Sequence, residues 1–208
     1  MTNIVLCGIG GQGTVLASKL LAAAGMKKGC NVQSAETIGM AQRGGSVFSH
    51  LRMGAADEEV SSPMIALGTA DILIGFEPGE TVRLLPYLKP DGQVITASRS
   101  VMPVTAALTG GSYDGADMLR YLEDNVENLS VVDTETALAE LGNPKVTNVL
   151  LLGYAAKSGA LGLTAEDLRE ALKELTISMI SLMTDASSAA ITLRPVWKFP
   201  LLGVSLHF

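Results

Sequence analysis

The segment that most constrains this chain is Gly8-Ile9-Gly10-Gly11-Gln12-Gly13, four glycines in six residues where an apolar run gives way to a helical pattern. Upstream, Ile4-Val5-Leu6-Cys7 is short, apolar and closed by Gly8, the pattern of a buried parallel strand. Downstream, from Gln12 to about Lys28, Val15, Leu16, Leu20 and Ala23 share a predicted helical face, and Gly29 stops the run. Backbone without Cβ atoms can turn sharply, approach a ligand closely and let a helix pack tightly on a strand. The free N–H groups at the helix start then face anything anionic, such as a phosphate or carboxylate. The spacing formally satisfies G-x-G-x-x-G, and Glu36, at the end of the next strand pattern, stands where a ribose-binding acid would. Gly11 and Gln12 are not asked for by that dinucleotide fingerprint, and a tight ligand-free turn is the alternative.

The rest of the chain alternates. Strands are expected over Val32 to Glu36, Val47 to Met53, Ile72 to Phe76, Val94 to Thr96 and Leu129 to Val132. Helices are expected from Pro78 towards Leu88, over Ala116 to Glu127, from an Asp133 cap to Gly142, and over Val146 to Ser158. Thr164 and Asp167 form a capping-box pattern ahead of a stripe of Leu168, Ala171, Leu172 and Leu175. Lys89-Pro90-Asp91-Gly92 reads as a turn, and residues 98–115 as loop. Alternation of this kind implies an α/β fold, a Rossmann-like three-layer sandwich with a mostly parallel sheet. Beyond Thr176 the charges thin to Asp185, Arg194 and Lys198 and helical periodicity fades, so residues 1–175 are expected to be one domain and 176–208 a divergent, partner-docking tail.

Composition excludes several classes. With 48% apolar and 17% charged residues the chain is not a disordered one, and its apolar excess favours a hetero-oligomer over a lone monomer. A net charge of −6 and a pI near 4.9 argue against nucleic acid or an anionic membrane as partner. No stretch of eighteen residues is uniformly apolar and Met1-Thr2-Asn3 carries no basic segment, which leads us to expect a cytoplasmic protein. Cys7 and Cys30 are too few for a disulfide framework or for the four thiolates of an iron–sulfur cluster, and two histidines make a His-rich metal site implausible. There is no nucleophile elbow, H-E-x-x-H or C-x-x-C, so no catalytic residue is identified.

A second glycine-rich segment, Gly39-Met40-Ala41-Gln42-Arg43-Gly44-Gly45-Ser46, surrounds an arginine with small residues. A guanidinium is a rigid donor fork for carboxylate or phosphate. In the following strand, period two puts Phe48, His50 and Arg52 on one face, the last two about 7 Å apart along the backbone. Gln42, Arg43, Gly44 and Gly45 are therefore expected to line one crevice with Gly8, Gly10, Gly11, Gln12 and Gly13, with His50 and Arg52 adding positive charge. Phe76-Glu77-Pro78-Gly79-Glu80 follows a strand, where open sheets place their ligand crevice. Glu80 and Arg83 read as an ordinary i,i+3 pair worth ~0.2–0.5 kcal/mol.

Taken in order, Gly8-Ile-Gly-Gly-Gln-Gly13, Gly39-Met-Ala-Gln-Arg-Gly-Gly45, Ser49-His50-Leu51-Arg52, Ser62-Pro63, Ala70-Asp71 and Phe76-Glu77-Pro78, joined by Asn148 and Gly153, resemble the gamma-type domain of 2-oxoacid:ferredoxin oxidoreductases over roughly residues 1–175. The resemblance is strongest to the small subunits of the indolepyruvate branch. It implies a subunit supporting oxidative decarboxylation of an aryl 2-oxo acid to an acyl-CoA, with electrons passed to ferredoxin. It also implies that thiamine diphosphate and [4Fe–4S] clusters lie on a large catalytic partner subunit and that ferredoxin is met through that subunit, and it leaves open whether this chain's glycine segments meet CoA, the bound 2-oxo acid or only the partner. A stand-alone dinucleotide-binding oxidoreductase or sensor is the alternative reading.

Overall fold

A computed structural model describes residues 1–38, 44–102, 113–141 and 147–175 of the chain. The chain divides into two compact units, Met1–Leu172 and Lys173–Phe208, and the strands described here all belong to the first. They are β1 (Thr2–Ile9), β2 (Asn31–Ile38), β3 (Ser46–Gly54), β4 (Ala70–Gly75), β5 (Leu88–Ala97) and β6 (Asn128–Val132). The helices are α1 (Thr14–Lys27), α2 (Pro78–Leu84), α3 (Gly115–Asn125), α4 (Thr134–Leu141), α5 (Thr147–Lys157) and α6 (165–175). The strands form one sheet in the order β2-β3-β1-β4-β5-β6. β1, β4, β5 and β6 pair in parallel, whereas β3 runs antiparallel to both β1 and β2.

Helices cover both faces, which is why β1 and β4 read as continuous apolar runs. On one face Val5, Cys7, Leu73 and Val94 pack with Leu84 of α2 and Leu122 of α3. On the other lies α1. Its buried residues are Thr14, Ala17, Ser18, Leu20, Leu21, Ala24 and Gly25, so the face predicted through Leu16 is rotated, and Leu16 itself is 41% exposed. The reason is steric. A Cβ on Gly25 would meet the Met53 sulfur at 2.9 Å and Val32 at 3.1 Å, so the helix seats its side-chain-free position against the sheet, with Ala17, Leu20, Leu21 and Ala24 on the same buried face. Each fully buried Leu or Ile of this core contributes about 1.5–3 kcal/mol.

α1 follows β1 onto one face and α2 follows β4 onto the other. Neighbouring parallel strands whose helices depart to opposite faces define the switch point where open α/β sheets hold ligands. Here it lies between the ends of β1 and β4. One sequence expectation changes here. Lys89-Pro90-Asp91-Gly92 is not a free turn but a bulge inside β5: the register jumps from Ala70–Leu88 to Ile72–Gln93, and Lys89 is tied to Asp71 at 2.8 Å. Proline has no ladder N–H to lose there. In the sheet β3 lies between β1 and β2. The predicted caps are present: Asp133 Oδ1 accepts from the Thr136 N–H at 3.1 Å, and Thr164 and Asp167 bond reciprocally at 2.7 and 3.1 Å.

Candidate functional site

The antiparallel course of β3 starts it at the same rim where β1 ends. Ile9 pairs with Ser46, and the Gly10 N–H donates to the Gly45 carbonyl at 2.8 Å. The two glycine bends therefore touch. Gln12 ties the first of them to the far side of the switch point: its Oε1 accepts from the Ile9 N–H at 2.7 Å and its Nε2 donates to the Phe76 carbonyl at 2.9 Å. One N–H of Nε2 and one lone pair of Oε1 are thus committed inside the fold, so Gln12 shapes the rim. Gly11, at φ +106°, has open space where a side chain would project. Gly13, at φ +82°, begins α1 with no side-chain cap, which leaves the first-turn amides free of a side-chain acceptor.

Across the switch point Glu77 is 2% exposed. It caps α2, accepting from the Glu80 N–H at 2.9 Å. It also accepts from the Val101 N–H at 3.4 Å and from the Tyr113 hydroxyl, whose oxygen in turn takes the Gly79 N–H at 3.1 Å. Burial first, then the hydrogen bond to Glu77, pushes the Tyr113 phenol well above its ordinary range, so it stays a donor. Beneath the rim, burial and to a lesser degree the Glu80 carboxylate raise the Cys7 thiol, which is a core group and no nucleophile.

Glu80 and Arg83 are more than the surface pair expected. Glu80 Oε2 accepts from Arg83 Nη2 at 2.7 Å, from Arg83 Nε at 3.0 Å and from the Ser46 hydroxyl at 2.6 Å. Arg83 Nη2 also donates to Ser46 Oγ, and the guanidinium lies over the Phe48 ring, 5.5 Å from its centroid. An arginine thus joins the rim from α2, next to Gly45. Arg99, exposed, follows β5 at the same end of the sheet.

Other candidates fall elsewhere. Gln42 and Arg43 lie outside the described residues, as does the tail 176–208. His50 and Arg52 are not at the rim, which corrects the expectation that they join the bends. Arg52 pairs with Asn3 near the opposite end of β3, roughly 20 Å along the strand from Ser46. It donates to Asn3 Oδ1 at 3.0 Å and to the Ser62 carbonyl at 2.8 Å. His50 is fully buried between Phe48 and Tyr87, and its Nδ1 accepts from the Ile65 N–H at 3.4 Å. Both residues hold the 55–69 crossover. Glu36 is exposed and pairs with Ser49, which pairs with Leu6, so two strand spacings, about 10 Å, separate it from β1. A ribose-binding acid would need to stand beside the bend; that geometry weakens the dinucleotide reading. Among the described residues no group of three His, Cys, Asp or Glu side chains is placed to hold a metal ion. No helix of these residues is long and apolar enough to cross a membrane.

Ser46, Arg83 and Tyr113 were not among the predicted site residues. Ser46 and Arg83 are 37 positions apart, Glu77 and Tyr113 36, and no local pattern announces contacts that only the sheet order creates.

A family model described as pyruvate ferredoxin/flavodoxin oxidoreductase matches residues 3–178. Indolepyruvate oxidoreductase subunit IorB of Thermococcus kodakarensis is 35% identical over 173 residues, covering 82% of this chain and 84% of that protein. The common subunit gamma of pyruvate/ketoisovalerate oxidoreductases from the same organism is 30% identical over 177 residues, covering 84% and 86%. Among solved structures, pyruvate oxidoreductase subunit PORC from Thermotoga maritima superposes with a TM-score of 0.58 at 22% identity, covering 84% of each chain. The 2-oxoglutarate:ferredoxin oxidoreductase of Magnetococcus marinus, solved with 2-oxoglutarate, coenzyme A and succinyl-CoA bound, gives 0.63 at 18% identity over 86% of this chain and 27% of that one. At such identities the two structures speak to the fold.

Proposed function

Because the chain belongs to the pyruvate ferredoxin/flavodoxin oxidoreductase family, we propose that it is the small subunit of an indolepyruvate-type enzyme, acting in the cytoplasm with a large catalytic chain. That assembly oxidatively decarboxylates an aryl 2-oxo acid to an acyl-CoA and passes the electrons to ferredoxin. Thiamine diphosphate and iron–sulfur clusters belong to the partner in this reading. The two cysteines of the present chain are consistent with it, Cys7 being buried and Cys30 half-buried. The identity to IorB proteins supports the indolepyruvate assignment over a pyruvate one, since it exceeds the identity to the common gamma subunit.

The observation that carries a ligand role is the hydrogen bond between Gly10 and Gly45 at 2.8 Å, which places two glycine bends on one rim at the switch point. The residues there fit an anionic group. The space at Gly11 is open, the first amides of α1 have no side-chain acceptor, and Arg83 stands beside Ser46. CoA, when bound, supplies the thiol that receives the acyl group; this chain's part is to hold its phosphates and to keep the rim rigid through Gln12.

Co-expression with the large chain, followed by ferredoxin reduction assays, tests the reading. Indolepyruvate should support faster reduction than pyruvate, and Arg43→Ala should raise the apparent KM for CoA several-fold. Failure of the two chains to assemble, or activity with no 2-oxo acid, would refute the function. An unchanged CoA KM in Arg43→Ala would remove Arg43 from it.

A further inference from the structure

We infer that Arg83 is an anion receptor at the rim, offering a substrate carboxylate or phosphate the edge of its guanidinium that the protein leaves open. The inference rests on the functional reading above and adds to it a residue and a ligand chemistry.

A guanidinium carries five N–H donors in a fixed fork. In Arg83 one on Nε and two on Nη2 are committed to Glu80 Oε2 and Ser46 Oγ. The two on Nη1 have no acceptor among the described residues. The plane of the group is fixed as well, by the Phe48 ring 5.5 Å from the guanidinium carbon. Yet the side chain is 46% exposed, while its partner Glu80 is only 16% exposed. Held on one edge by a carboxylate and a hydroxyl, stacked on a ring and open on the other edge, the arginine is pre-oriented at little further entropic cost. A solvated i,i+3 pair needs neither the hydroxyl nor the ring.

Position supports the same conclusion. Ser46 follows Gly45, whose carbonyl receives the Gly10 N–H, so Arg83 stands against the rim that the two bends share. Glu80 sets the strength of the site. It anchors the fork, and its charge opposes an incoming anion, so Arg83 takes a ligand only where further donors such as the α1 amides join it. A carboxylate or a phosphate alike offers an anionic oxygen that the Nη1 donors can hold singly. The anion is therefore either the carboxylate of the 2-oxo acid or a phosphate of CoA.

Steady-state kinetics of the assembled enzyme separate these sources. In Arg83→Gln the apparent KM of one substrate should rise at least fivefold, with kcat within threefold; the substrate affected identifies the anion. Arg83→Lys should lie between wild type and Arg83→Gln, and Glu80→Gln should lower the same KM. If both KM values of Arg83→Gln stay within twofold of wild type, the inference is overturned. Should Arg83→Gln not assemble, Ser46→Ala, which keeps both charges, must raise the KM of either CoA or the 2-oxo acid at least twofold, and no change in both overturns the inference equally. If the wild-type assembly oxidises no 2-oxo acid, the functional reading falls separately. Titration of the full chain with CoA and with inorganic phosphate then decides: binding weakened at least fivefold in Arg83→Gln supports the receptor, and equal or absent binding overturns it.

Discussion

Gln12 and Phe76 are joined across the switch point, the side-chain Nε2 of one donating to the carbonyl of the other at 2.9 Å. Since Gln12 Oε1 also takes the Ile9 N–H, one amide holds the ends of β1 and β4 together. Ile9 is 6% and Phe76 1% exposed, so water cannot freely replace it. Gln12→Ala should cost about 1–3 kcal/mol, the penalty of a buried polar group left unmatched. Gln12→Glu should cost a similar amount, because a carboxylate cannot donate to Phe76. Urea denaturation of the two variants checks both, and a loss under 0.5 kcal/mol would show that the clasp is ornamental.

Gly13 faces Asn148 across the α1–α5 contact. A Cβ at Gly13 would lie 2.8 Å from Asn148 Nδ2, at a φ of +82° that side chains resist. Gly13→Ala should therefore lose roughly 1–2 kcal/mol for its backbone and more for the collision. Combining it with Asn148→Ala should recover the collision part only. The double-mutant cycle should show a favourable coupling of about 0.5 kcal/mol or more, and strict additivity would mean the two residues do not meet.

His50 makes the fold sensitive to acid. Burial lowers its pKa below the ordinary 6.5, so the unfolded chain takes up a proton that the native chain resists. Stability from this source is complete above pH ~6.5 and declines as the pH drops through that value. His50→Gln keeps an acceptor for the Ile65 N–H but does not titrate. The advantage of wild type over this variant should shrink between pH 7 and pH 5, by at most about 1.4 kcal/mol per pH unit. Parallel denaturation curves at every pH would contradict it.

Arg52 serves the crossover and not the rim. Arg52→Ala should destabilise by about 1–2 kcal/mol through the lost bonds to Asn3 and Ser62. In the assembled enzyme the KM for CoA and for the 2-oxo acid should stay within twofold of wild type. A large KM rise at unchanged stability would return Arg52 to the ligand.

What the amino-acid pattern revealed divides by range. Ile4–Cys7, the glycine bend and Thr164–Asp167 are decided by neighbours within a few positions, and their expected structure is present. The place of β3 is not decided that way. Period two correctly puts Phe48, His50 and Arg52 on one face, but whether Arg52 stands at the rim or the opposite end depends on strand direction, which no local pattern encodes. The rotated face of α1 has a similar origin: Leu16 outranks Ala17 in hydropathy, yet the close approach of Met53 and Val32 to Gly25 turns the Gly25 side of the helix to the sheet, and Ala17 is buried while Leu16 is exposed. Arg83 was visible as a charge, whereas its tie to Ser46 exists only once β3 and α2 flank β1 and β4.

The reversed strand has an architectural consequence. Had β3 run parallel to its neighbours, the chain leaving β2 would have had to travel the full height of the sheet before re-entering it. Instead β2 and β3 stay paired up to Ile38 and Val47, so the end of β2 and the start of β3 lie on one side of the sheet, with Gly45 tied there to Gly10. A join of that kind can be lengthened, shortened or exchanged without reordering any strand, so the mouth can be re-cut for new chemistry while the scaffold is inherited intact.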